Sequence, residues 1–98
     1  MSNPEVMVWL AQNLPYRKLR MVGILLGFSS TEMDNLILSH HEDIDNLVCL
    51  FVEKYYAKHR NWFNMEQALR DVGDHLLADE LHQKCSATCI LCFENSYR

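Results

Sequence analysis

Residue types suited to chemistry gather in two places in this sequence. Toward the C-terminus, His82, Cys85, Cys89 and Cys92 present an imidazole and three thiols, the donor set of a tetrahedral zinc site. In the middle, His40 and His41 precede Glu42, Asp43 and Asp45, a mixture that serves metal coordination or acid–base catalysis where the groups converge. Neither spacing assembles a site. On one straight helix, residues 82 and 92 stand roughly 15 Å apart at 1.5 Å per residue, so the four ligands cannot wrap one ion. They are expected instead to continue the packing stripe of Ala78 and Leu81. Adjacent residues at a helix end point in different directions, and His40 and His41 read as a solvated loop with no second cluster to complete a site. Cys49, between Val48 and Leu50, lacks a context that would activate its thiol. Ser29 and Ser30 read as helix caps, the three glycines as helix stops, and His59 and His75 as surface positions near helix ends. No catalytic, cofactor-binding or metal-binding residue is expected.

The elements that carry these residues follow from apolar periodicity. Pro4 fits the first turn of a helix, and Val6, Met7, Leu10, Ala11 and Leu14 repeat at three- and four-residue spacing, giving a first helix over about 4–13. Pro15 restarts the chain, and Leu19, Val22, Gly23 and Leu26 form the buried stripe of a second helix that stops at Gly27. Ser29 and Glu32 have capping-box spacing and open a third helix with Met33, Leu36 and Ile37 facing inward. The fourth, about 43–58, carries the stripe Ile44, Leu47, Val48, Phe51, Val52 and Tyr55. Asn61 caps a fifth helix with Trp62, Met65, Leu69 and Val72 facing in, and Gly73 ends it. Asp74 caps a sixth with Leu77, Ala78 and Leu81 inward. The expected fold class is all-α.

Bulk composition limits the choices further. At 98 residues and 49% apolar content, the sequence supports one core and not two. A single module over 1–98 is expected, with its core at about 4–82 and a helical extension at about 83–95. A formal net charge of −4 supplies no basic field to gather phosphates, so nucleic acid is not an expected partner. The apolar runs fall short of the roughly 20 residues that a membrane span requires. With three cysteines crowded at 85, 89 and 92, reduced thiols and a cytoplasmic location are expected. Acylated cysteines would anchor the chain to a membrane, but nothing in the sequence selects that reading.

Several segments resemble the death domain family. Leu19 to Ser29 (LRMVGILLGFS) resembles its aromatic-x-x-Leu-Ala-x-x-Leu-Gly-Leu-Ser stretch, and Glu32-Met33-Asp34-Asn35-Leu36 resembles the start of its third helix. Ala68 to Gly73 and Leu77 to Leu81 resemble its Ala-Leu-x-x-Ile-Gly and Leu-Ala-Glu-x-Leu endings. The match covers about residues 4–82. It departs at Leu19 and Tyr55, where the family often has Trp, and at Val22-Gly23, where it has Leu-Ala. Death effector and caspase-recruitment domains share the architecture. The resemblance implies an antiparallel six-helix bundle of Greek-key order in an adaptor or receptor tail, joining other death-fold proteins in apoptosis or innate immunity.

Charge placement indicates where such joining occurs. Arg17, Lys18 and Arg20 concentrate on the second helix, and Glu32, Asp34, Glu42, Asp43 and Asp45 on the third helix, its following loop and the start of the fourth. Opposite charges on different faces let copies self-associate head to tail. Met21 and Phe63 are candidate exposed anchors, with Phe63 out of phase with the stripe containing Trp62. The rival reading is a small all-α nucleic-acid- or transcription-associated domain, with the helices around Gly27 as a helix-turn-helix. Its recognition helix would carry Glu32 and Asp34 toward phosphate. A cysteine-rich metal module is a further alternative.

Overall fold

Local stop and start signals set the helix boundaries. The computed structural model describes residues 3–88, where α1 spans Asn3–Asn13, with Pro4 in its first turn. Pro15 is extended (φ −66°, ψ 127°) and leads into a 3-10 turn, Tyr16–Lys18, that runs directly into α2, Leu19–Leu25. Arg17 and Lys18, expected on the second helix, therefore sit on the turn before it. Gly27 closes α2 at φ 94°, with Phe28 N donating to Gly23 O at 3.0 Å.

α3, Ser30–His40, begins with the expected capping box: Glu32 N donates to Ser29 Oγ at 3.0 Å, and Ser29 N reaches Glu32 Oε1 at 3.5 Å. α4, Ile44–His59, is capped by Asp43, whose Oδ1 accepts from Asn46 N at 3.1 Å. It ends at Arg60, a non-glycine residue in the left-handed region (φ 60°). Asn61 Oδ1 accepts from Phe63 N at 3.0 Å and Asn64 N at 3.3 Å, opening α5, Phe63–Asp71. Gly73 (φ 87°) closes α5, and Asp74 Oδ1 accepts from Leu77 N at 3.3 Å in the first turn of α6, His75–Thr88.

The six helices bury one shared core. α1 packs on α4 and α6, α5 on α6 and α2, and α3 between α2 and α4. Phe51, Tyr55, Leu69, Met65 and Leu10 are fully buried in one cluster that also takes in Leu77, Ala78 and Leu81 of α6. Phe28 packs on Phe51 (centroids 5.6 Å apart), and Trp62 lies against Tyr55 at 5.6 Å and Tyr56 at 4.9 Å. Trp62 is thus a core residue, as its phase with Met65 and Leu69 requires.

Two stripe assignments and one surface assignment need correction. Ile44 has the phase of the α4 core face but is 45% exposed, because it is the first residue of the helix and no neighbouring element reaches over that end. His82 is exposed and does not continue the buried line of Ala78 and Leu81; Cys85 does, half-buried against the core. His59, expected at the surface, is half-buried. Cys89, Cys92 and the end of the helical extension expected to about residue 95 lie outside the described residues. Among the described residues there is no strand, and no helix is long and apolar enough to cross a membrane.

Candidate interaction surface

The basic group does not act as one free patch. Arg17 is exposed and Lys18 half-buried on the 3-10 turn, whereas Arg20 Nε donates to Asp34 Oδ1 at 2.8 Å across the α2–α3 contact. The bond to Asp34, followed by its charge, holds the Arg20 guanidinium above its usual pKa. Arg20 and Asp34 were expected on different faces, each to meet the opposite sign on another copy. They instead satisfy one another within the chain, because the close approach of α2 and α3 brings the two side chains together.

That approach depends on Gly23. A Cβ at this position would stand 2.9 Å from Met33 Cγ and 2.6 Å from its Cε, so the missing side chain makes room for a buried methionine.

The acidic residues separate into two groups along α3. Glu32 and Asp34 are at its beginning, Glu32 in the capping box and Asp34 with Arg20. Glu42, Asp43 and Asp45 surround the α3–α4 turn. Asp43 caps α4, Glu42 lies 3.9 Å from the His41 imidazole, and Asp45 is exposed in the first turn of α4. Asp34 and the end of α3 at His40 are six residues apart, roughly 9 Å along the helix at 1.5 Å per residue, and the second group lies beyond that end.

Exposed apolar side chains mark the surface more sharply than charge does. Met21, Ile24 and Leu25 of α2 are 60%, 41% and 49% exposed, and Phe63 is 64% exposed at the start of α5. Leu38 near the end of α3 is 69% exposed. Met21 and Phe63 were expected at the surface. Ile24, Leu25 and Leu38 were not singled out, although a signal existed: five of the seven residues in LRMVGIL are apolar, more than one buried face can use. Leu25 also borders a groove of about 310 Å³ between α2 and α5, walled by His59, Asn64, Gln67 and Asp71. A second groove, about 350 Å³, runs between α3 and α4 over Phe28, Met33, Leu36 and Phe51, with Glu32, His40 and Lys54 at its rim.

Several other titratable groups tie elements of the fold together. His59 stacks on Tyr55 at 4.7 Å, and its Nε2 is 2.8 Å from Leu26 O. A carbonyl can only accept, so Nε2 carries the proton and Nδ1 accepts from Asn64 Nδ2 at 2.9 Å. Glu66 pairs with Arg70 at 3.0 Å and with His82 Nδ1 at 3.2 Å, while Arg70 also reaches Asp79 at 2.8 Å, tying α5 to α6. Burial, and then the Glu66 charge, push the Cys85 thiol up to about 11. Among the described residues, no group of three or more His, Cys, Asp or Glu side chains could hold a metal ion. Comparison of the chain with family models, curated proteins and solved structures finds no match.

Proposed function

We propose that this chain is a non-enzymatic protein–protein interaction module of the death-fold kind, with its helices in Greek-key order, serving in a cytoplasmic adaptor or receptor tail. It joins other death-fold proteins, or copies of itself, into signalling assemblies of apoptosis or innate immunity. The observation that supports this reading best is the outward face of α2, where Met21, Ile24 and Leu25 stand exposed beside Arg17 and Lys18. Exposed apolar residues next to cations have the makeup of an interface, an apolar centre within a polar rim. Contacts of this size are individually weak and gain strength through multivalency.

Arg17 and Lys18 are the cations to test, since reversing Arg20 would also break its internal pair with Asp34. The double variant Arg17→Glu/Lys18→Glu and the unaltered chain are compared for binding to a panel of purified death, death effector and caspase-recruitment domains. Binding of at least one domain, lost in the double variant, is the expected result. Failure to bind any of the panel, together with the absence of self-association, overturns the reading.

A further inference from the structure

α2 is apolar on two opposite faces. Leu19, Val22 and Gly23 are buried, and Met21, Ile24 and Leu25 fill a continuous outward arc of roughly 100° at 100° per residue. An apolar helix face is ordinarily covered, and the described chain covers only one of the two that α2 carries. Cations stand at both ends of α2. Arg17 and Lys18 lie on the turn before α2, and Lys58 lies beyond its end, with Nζ donating to Gly27 O at 2.9 Å. Arg20, along the side, is neutralised by Asp34.

The α3–α4 turn has the opposite makeup. Leu38 and Ile44, 69% and 45% exposed, flank it on the two helices, and Glu42 and Asp45 supply charge beside them. Asp43 is engaged in capping α4. Pairing α2 with α2 would bring cation against cation in either orientation, and pairing turn with turn would bring acid against acid. Only the unlike patches match in both apolar content and charge.

We propose that the outward face of α2 in one copy docks on the α3–α4 turn of a second copy, with Met21 and Ile24 against Leu38 and Ile44, and Arg17 and Lys18 against Glu42 and Asp45. This rests on the interaction-module reading and specifies its surfaces. The two patches are different parts of one chain, so the contact is heterologous: each docking leaves one patch free on each copy, and growth continues into a ring or a filament. Each patch offers only a few exposed apolar side chains, and stable interfaces bury roughly 1,200–2,000 Å², so assembly depends on concentration.

Two variants test the arrangement by sedimentation velocity over a concentration series. Met21→Glu places an acid in the α2 patch, and Ile44→Glu removes the apolar anchor of the turn patch; both positions are exposed in the monomer. The unaltered chain is expected to grow past the dimer as concentration rises. Each variant alone is expected to associate at least about tenfold more weakly, since an unpaired charge in a contact is costly. An equimolar mixture is expected to form one-to-one dimers and stop there, because each variant keeps the patch that the other lacks. The pair Ile24→Glu and Leu38→Glu repeats the test on the same surfaces if either first variant unfolds. If the unaltered chain grows but the mixture stays monomeric, the pairing is wrong and the interaction-module reading stands. If the unaltered chain stays monomeric throughout, self-docking is wrong, and the domain panel decides the module reading separately.

Discussion

The Tyr55 hydroxyl joins two stretches of backbone, donating to Asn61 O at 2.5 Å and accepting from Met65 N at 3.0 Å. Tyr55→Phe keeps the buried ring but leaves both groups without that partner. It is expected to cost about 1–3 kcal/mol in denaturant unfolding. Burial pushes the Tyr55 phenol up to about 12 from 10.0, and Cys85 up to about 11 from 9.0. A raised pKa means that the folded state keeps a proton that the unfolded state loses. The stability these groups contribute is therefore complete below about pH 9 and lost as pH rises toward 12. The melting temperature is expected to fall across that window, and to fall less in Tyr55→Phe. Gly23 gives a second test at this scale. Gly23→Ala gains helix propensity but forces a methyl into the space of Met33, and overpacking of this kind costs about 1–3 kcal/mol. A net loss of stability is expected, smaller in a Met33→Ala background, where the contact is gone.

At the scale of the element, the helix ends differ in how well their sequences suit them. Gly27 and Gly73 take positive φ where only glycine does so freely, but Arg60 takes φ 60° at the end of α4. Arg60 N donates to Tyr56 O at 2.9 Å, a closing bond that any residue can make, so the arginine side chain is not required for the cap. Arg60→Gly is expected to raise stability by about 0.5–1 kcal/mol, since relief of left-handed strain outweighs the extra freedom of glycine in the unfolded chain. An unchanged or lower unfolding midpoint would show that the Arg60 side chain contributes more than the strain it imposes.

Across the whole molecule, core and surface substitutions are expected to separate cleanly. Phe51 and Leu69 are fully buried, and Phe51→Ala or Leu69→Ala is expected to cost roughly 2–5 kcal/mol through lost burial and the cavity left behind. The double reversal of Arg17 and Lys18 is expected to leave helicity intact and to shift stability far less than either core truncation, while removing binding. Equal losses of stability in both classes would mean that the 3-10 turn is part of the folding core. Partner loss would then report unfolding and not a broken contact.

Signals local in the chain account for the helices and most of what they bury. Glycine, proline and capping residues act within a few residues of their own position, and the apolar period fixes which side of a helix turns inward. Ser29, Asn61, Asp74, Gly27 and Gly73 were legible for that reason, as were the buried Met65, Leu69 and Leu81. Ile44 was misplaced because phase gives the direction of a side chain but not whether a neighbour covers the end of its helix. Likewise, charge counting found Arg20 and Asp34 but could not pair them, since their bond spans 14 positions and exists only where α2 meets α3. The half-buried His59 contacts Leu26, 33 positions away, for the same reason. Tertiary packing alone decided that Arg20 and Asp34 neutralise each other, and that Met21, Ile24 and Leu25 remain uncovered: a local pattern specifies faces, and only the arrangement of helices specifies what each face meets.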